Sequence, residues 1–406
     1  MDTEIKNTEK HILNKVPQVT LFFWIIKVLC TTVGETFADF LNVNLGFGLT
    51  GTSLTMGVLL IIALFFQFRA KKYIPFIYWI SVVFISVFGT LVTDNLTDRI
   101  GIRLETSTII FTILLLLTFY LWYTKEKTLS IHSIFTTRRE VFYWFTILFT
   151  FALGTASGDL MAEGLGLGYL NTGLIVAAII AITIIAQKLK LNSVLSFWII
   201  YIMTRPLGAS IGDYLSQPAK YGGIGLGATL TSVIFLLGIL VIILYFTFTK
   251  KDVITNIDTE EKHTNENKGL VKQSLITIAL FIIVGLSSYF WRQSQLQKET
   301  VQTPVSNETP ANILPVSSLG NLSEFKKITE DTKALVISNN MEGAKIRIAD
   351  LEHEWDINQA KLKALDSKKW TEIDDAIDKV LRQLRAVNPV KKDCQSYLDA
   401  LLKVLD

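Results

Sequence analysis

Long apolar stretches alternate with short polar breaks along residues 20–249. Eight of the stretches reach the ~20 apolar residues that a bilayer-crossing helix needs. They come in pairs. The first member of each pair starts at an aromatic pair ending in Trp: Phe23-Trp24, Tyr78-Trp79, Tyr143-Trp144 and Phe197-Trp198. The second members run through 50–68, 107–123, 171–187 and 229–248. A ninth apolar span covers 272–291. Beyond it the pattern changes to a charged, helix-periodic one, which predicts helices near 320–338, 341–364, 367–387 and 391–405. Asn340 and Asp366 are the expected N-caps there, and Pro389 ends the third helix.

The paired spans are copies of one unit. Ten residues after each Trp stands a Gly (Gly34, Gly89, Gly154 and Gly208), and five residues later an Asp (Asp39, Asp94, Asp159 and Asp213). The register holds four times without a gap, although the Trp-to-Trp spacings are 55, 65 and 54. Glycine-containing breaks follow at Gly46 and Gly48, Gly101, Gly164 to Gly168, and Gly222 to Gly227. Each repeat therefore reads as a helical hairpin, and an even number of spans per repeat makes the four repeats parallel. The expected fold is all-α: four parallel two-helix repeats (20–73, 74–138, 139–192, 193–249), a 250–271 loop, a ninth transmembrane helix, a 292–319 linker and a soluble helical bundle over 320–406.

Charge sets the expected orientation. The loops between repeats carry Arg69, Lys71 and Lys72, then Lys125, Lys127, Arg138 and Arg139, then Lys188 and Lys190, then Lys250 and Lys251. The breaks inside the repeats carry only Arg99, Arg103 and Lys220. The positive-inside rule puts segment 1–19 and the inter-repeat loops in the cytoplasm, and an odd span count sends 320–406 outside. The Trp residues then read as interfacial anchors. A net charge of +3 offers nothing to nucleic acid, and the two cysteines, Cys30 and Cys394, lie in different parts of the chain, so no disulfide framework is expected.

The chemistry that stands out is acid inside the membrane. Fifteen helical residues cover roughly 22 Å, which places each repeated Asp in the outer half of a ~30 Å hydrocarbon core and each repeated Gly near its middle. The Gly reads as a close-packing device. Glu35 precedes Asp39 by four residues, Asp98 follows Asp94 by four, and Glu163 follows Asp159 by four, so each pair shares a helix face. Gln217 takes that place after Asp213. Such groups cost at least about 2.5 kcal/mol each to insert. Lys27 and Arg205 are the candidate charge partners, with Lys27 close enough to the cytoplasmic end to snorkel and Arg205 beside a helix-kinking Pro206. The acids outnumber them, which favours a cation or protons as ligand. No His lies in the first eight spans, so carboxylate and hydroxyl oxygens select hard cations: Mn²⁺, Mg²⁺, Ca²⁺ or Na⁺. The expected metal ligands are Glu35, Asp39, Asp159, Glu163 and Asp213, with Asp94 and Asp98 in the wider cation-binding set. The acidic run Glu352, Glu354, Asp356, Asp374, Asp375 and Asp378 leaves a metal site open, with a solvated helix face as the favoured reading.

The stretch Thr31-Thr32-Val33-Gly34-Glu35-Thr36-Phe37-Ala38-Asp39 and its echo Arg205-Pro206-Leu207-Gly208-Ala209-Ser210-Ile211-Gly212-Asp213 resemble a family of bacterial membrane-anchored proteins with a four-copy repeat of unknown function. The segment Ala344 to Glu352 and Trp370 resemble the soluble tail of some members. The resemblance implies a bacterial cytoplasmic-membrane protein and supplies no activity. The second repeat departs most in composition, with Thr-Asp-Asn-Leu-Thr-Asp at 93–98. Three functions are weighed: a secondary transporter of a hard cation, with proton coupling left open; a scaffold or sensor working through a protein partner of the 320–406 bundle; and an intramembrane aspartyl enzyme. The last rests on the dipeptides Gly158-Asp159 and Gly212-Asp213, and fourfold repetition exceeds what it needs. The expectation is a non-enzymatic transporter without a cofactor, with the lipid bilayer and a small cation as its partners.

Overall fold

Every predicted apolar stretch is helical in the computed structural model, which describes residues 14–253, 269–302, 317–386 and 388–406. The helices are α1 (Leu21–Asp39), α2 (Gly48–Arg69), α3 (Pro75–Asp94), α4 (Leu104–Glu126), α5 (Thr137–Asp159), α6 (Gly168–Lys188), α7 (Ser193–Ser216), α8 (Gly227–Thr249), α9 (Leu270–Gln302), α10 (Ser323–Ile337), α11 (Met341–Arg385) and α12 (Lys391–Leu405). Among the described residues nine helices, α1 to α9, are long and apolar enough to cross a membrane, and there is no strand. Residues 1–13 of the N-terminal segment, most of the 250–271 loop and much of the 292–319 linker lie outside the described residues.

The odd-numbered helices α1, α3, α5 and α7 form an inner ring in which each touches the next and α7 returns to α1. The repeated glycines set its tightness. A Cβ built on Gly34 would meet Ser86, one on Gly89 would meet Phe151, one on Gly154 would meet Arg205 and one on Gly208 would meet Thr31. Each contacted residue stands three before its own repeat's Gly, so the four contacts are the same contact turned through the ring. Backbones this close are what small residues permit between membrane helices. Two cross-ring hydrogen bonds use the proximity: Thr31 Oγ1 donates to the Thr204 carbonyl at 3.0 Å and Thr93 Oγ1 to the Ala152 carbonyl at 3.0 Å.

The repeated aromatic pairs make a second cyclic layer. The ring of Phe23 meets Trp79 at 5.5 Å, Tyr78 meets Trp144 at 5.6 Å, Tyr143 meets Trp198 at 6.5 Å, and Phe197 meets Trp24 at 5.5 Å. This corrects the reading of the Trp residues as lipid-interface anchors. Trp79, Trp144 and Trp198 are buried, and Trp79 and Trp198 donate to Tyr73 Oη and the Leu129 carbonyl. They lock one repeat to the next.

The even-numbered helices form an outer layer, but not as simple hairpins. Each packs chiefly on the inner helix of the following repeat: α2 on α3, α4 on α5, α6 on α7, and α8 on α1. The repeats are thus interleaved around the ring.

At the carboxylate end, α1, α3 and α5 each pass directly into a five-residue π-helical turn: Phe40–Asn44, Asn95–Arg99 and Leu160–Gly164. Such widened turns recur at functional sites. The chain then bends through glycines with positive φ, such as Gly46 and Gly48, which other residues adopt only with strain. In the fourth repeat α7 stays α-helical to Ser216, running on through Pro206, which does not interrupt it.

The helices α10, α11 and α12 share one apolar core in which Trp355 and Trp370 stack at 5.7 Å. The expected break falls where the sequence puts it. Asp366 leaves helical geometry inside α11, and its Oδ1 accepts from Lys369 N, while Asn340 Oδ1 accepts from Gly343 N.

Candidate functional site

The inner ring brings the four repeated Asp residues to one end, opposite its aromatic layer. There they line a cavity of about 810 Å³, and Glu35, Asp98 and Glu163 line it too. All seven predicted acids therefore face one space. They are not equivalent. Ligand oxygens of Glu35, Asp39 and Asp213 lie within 4.8 Å of one another, a separation one cation can bridge. Asp159 and Glu163, placed with these three in the expected metal set, stand apart from that group; Glu163 accepts from Tyr169 Oη at 3.1 Å.

The two predicted charge partners part company. Arg205 is fully buried and its Nη2 donates to Glu35 Oε2 at 2.5 Å. Lys27 does not pair with any acid and does not snorkel. It is buried, with Nζ 3.7 Å from the centroid of the Phe151 ring and 4.2 Å from that of Tyr201, and no hydrogen-bond acceptor among the described residues reaches it. Its partners are ring faces, which attract an ammonium electrostatically.

The far wall of the cavity was missed by the sequence reading. It comes from α11. Glu352, Asp356, Asp374 and Asp378 face the cavity, whereas Glu354 and Asp375 of the same acidic run do not line it. Four of the six thus face this cavity, each still partly exposed, and two face away from it. Lys363 Nζ donates to the Thr97 carbonyl at 2.9 Å and lies 3.4 Å from Asp98 Oδ1. The Gln359 amide is within hydrogen-bonding reach of Asp98, Glu163 and Lys363. Ser367 Oγ donates to the Gly101 carbonyl at 2.5 Å, and Arg103 to the Ala364 carbonyl at 3.4 Å. Lys220 pairs with Asp350. Thus Arg103 and Lys220, two of the three basic residues in the breaks, are where the C-terminal helices dock. That pattern was the one available signal of an acidic partner at this end.

Four repeats in one register, closed into a ring by equivalent contacts, settle the kinship. The family described as Repeat of Unknown Function (DUF347) matches residues 22–73, 77–128, 142–190 and 196–252. The chain belongs to this family. Neither a curated protein nor a solved structure matches it. In this DUF347 member the family repeat supplies the carboxylates on one side of the cavity, and helix α11, outside the matched segments, supplies those on the other.

Among the described residues, eleven carboxylates line the cavity against one guanidinium, Arg385, and one imidazole, His353. Arg385 is already committed to Glu352 through two hydrogen bonds. On the α11 side the acids respond as crowded acids do. Burial, then Arg382 pulling the other way and Glu352, Asp98 and Asp375 pushing up, leave Asp378 at about 6. Burial followed by Asp98 and Asp378 raises Asp374, and burial followed by Glu163 and Glu352 raises Asp356. An acid raised on folding above its usual ~4 contributes stability that is fully present below that value and lost as pH rises through its folded value. Hydrogen exchange over 341–385, corrected for intrinsic rate and measured in chelator, is therefore expected to be faster at pH 8 than at pH 5. Equal corrected exchange at the two pH values would refute this account of the wall.

Proposed function

We propose that this chain is a secondary transporter of a hard cation, Mn²⁺, Mg²⁺, Ca²⁺ or Na⁺, which binds among the carboxylates at the end of the inner ring. The observation that carries the reading is the convergence of Glu35, Asp39 and Asp213 on one point within a cavity lined by eleven carboxylates. Oxygen-only ligation of this kind suits hard cations and offers little to softer ones. The four repeats are parallel in this reading, with the N-terminus in the cytoplasm of a bacterial cell and the C-terminal helices outside it as a capping bundle. The basic loops between repeats support that orientation. Transport follows as the repeats rock about the site, with protons exchanged at carboxylates that the cation leaves.

The decisive experiment is flux into proteoliposomes, screened over Mn²⁺, Mg²⁺, Ca²⁺ and Na⁺ with a pH-sensitive dye inside. Flux of one of these ions is expected. Absence of ion and proton movement, from protein shown to be folded, would overturn the reading.

A second reading has an observation of its own. Helix α11 docks over the acidic cavity through Lys363, Gln359 and Ser367, so a cation there could set the position of the C-terminal helices and make the chain a sensor or scaffold. Deleting 320–406 separates the two: a transporter keeps cation flux without its cap, and a sensor loses its output.

A further inference from the structure

The ring is fourfold in its packing but not in its charge. At the position three residues before the repeated Gly, the first three repeats carry Thr31, Ser86 and Phe151, and the fourth carries Arg205. At the position just after that Gly, the first repeat carries Glu35 where the others carry Thr90, Thr155 and Ala209. The two exceptions find each other. Arg205 Nη2 meets Glu35 Oε2 at 2.5 Å, and Nη1 lies 3.4 Å from the Thr31 carbonyl of the same helix. Its stem lies where Gly154 has no side chain to obstruct it.

The guanidinium also reaches further. Nη2 donates to Thr90 Oγ1 on α3. Helices α7 and α3 are diagonal members of the ring, each neighbouring α1 and α5. Arg205 thus crosses the interior of the ring and ties three of its four helices together beneath the carboxylates. The tie is incomplete, since Arg205 Nε is buried and has no hydrogen-bond partner among the described residues.

Glu35 belongs at once to this tie and to the group formed with Asp39 and Asp213. We propose that Arg205 is a tethered counter-cation: it holds Glu35 while the three-carboxylate group is free, and a divalent cation entering that group displaces it, releasing the bar across the ring. The inference rests on the cation reading above. Its physical basis is that a dication on Glu35 and a guanidinium on the same carboxylate repel one another strongly in a desolvated interior. Arg205 is accordingly a positioning residue that couples occupancy of the site to the packing of α1, α3 and α7. Reciprocity requires that whatever loosens Arg205 tightens the cation, and whatever binds the cation loosens Arg205.

The test is Mn²⁺ binding to the full-length protein in detergent, read by the free-ion electron paramagnetic resonance signal. Arg205→Gln is expected to bind Mn²⁺ at least about fivefold more tightly than the wild type, within the usual range of coupling between sites. In the Glu35→Gln background the same change is expected to have no effect, because the shared carboxylate is gone. An affinity unchanged or weakened in Arg205→Gln overturns the proposal, as does a gain that persists beside Glu35→Gln, which would be mere through-space repulsion. Should Arg205→Gln fail to fold, Thr90→Val removes only the neutral end of the tie. It is expected to tighten Mn²⁺ in the same direction by a smaller factor, and unchanged affinity there overturns the proposal too. If neither the wild type nor Arg205→Gln binds Mn²⁺, the cation reading itself has failed. Binding in Arg205→Gln alone overturns the proposal as well, because the cation then fails to displace Arg205.

Discussion

Asp39→Asn combined with Asp213→Asn is expected to lower cation flux into proteoliposomes by at least about 100-fold, by analogy with the 10–100-fold cost of disturbing a single group that supports a metal site. Asn is nearly isosteric with Asp and still offers one oxygen, so the change removes charge without opening a hole. The two residues come from neighbouring helices, α1 and α7, and with Glu35 they form the tightest carboxylate group among the described residues. Asp94→Asn combined with Asp98→Asn supplies the contrast. Those side chains line the same cavity, but Asp98 is already engaged by Lys363 and neither belongs to the close group. Their replacement is expected to cost less than about tenfold. Equal losses from the two pairs would mean that the four repeats contribute alike. Normal flux in the Asp39, Asp213 variant, with the protein inserted and monodisperse, would remove these residues from the site.

Within the inner ring, a large stability effect is expected at Gly208. A Cβ there would lie 2.0 Å from Thr31 Oγ1 and 2.9 Å from the Thr32 backbone nitrogen. A hydroxyl can turn away, but a backbone nitrogen in the middle of α1 moves only if the helix moves. Gly208→Ala is therefore expected to destabilise the protein by at least ~1–3 kcal/mol, the usual cost of overpacking, visible as a lower melting temperature of the detergent-solubilised protein. Thr31→Ala should restore only part of the loss, because the Cβ of residue 31, 2.6 Å away, and Thr32 N both remain. Gly285→Ala in α9 is the control: nothing lies within 4 Å of its would-be Cβ, and Ala favours the helix by roughly 1 kcal/mol. A melting temperature unaffected by Gly208→Ala would contradict the close approach of α7 to α1.

Much of this was legible in the chain. Apolar length gave nine spans, and the Trp, Gly and Asp positions gave the repeat, because duplication leaves a register that needs no knowledge of the fold. The capping roles of Asn340 and Asp366 were legible because capping is local chemistry. What failed was anything that depends on which helix meets which. An aromatic pair at the start of a span has the same composition whether it greets lipid or the next repeat, and only the closed contacts from Phe23 to Trp79 and onward around to Trp24 distinguish them. Lys27 was misread for the same reason: its aromatic partners Phe151 and Tyr201 sit on other repeats. The candidate site was half visible. The membrane acids announced themselves by being costly, whereas Glu352, Asp356, Asp374 and Asp378 lie on a water-compatible helix where acids need no excuse. Their meeting with Asp98 is carried by contacts such as Gln359 to Asp98, separated by 261 residues, and no periodicity records those.

The interleaving of the outer helices bears on how such a chain is made. Within the repeat array α1 is made before its neighbours α3, α7 and α8, two of which lie at the far end of the array. Glu35 waits for Arg205, 170 residues behind it. At synthesis rates of about 5–20 residues per second that is a delay of ~10–30 s. Throughout that interval α1 carries Glu35 without its arginine. The ring can therefore close only once the fourth repeat has been made, and the helix that caps its acidic end follows later still.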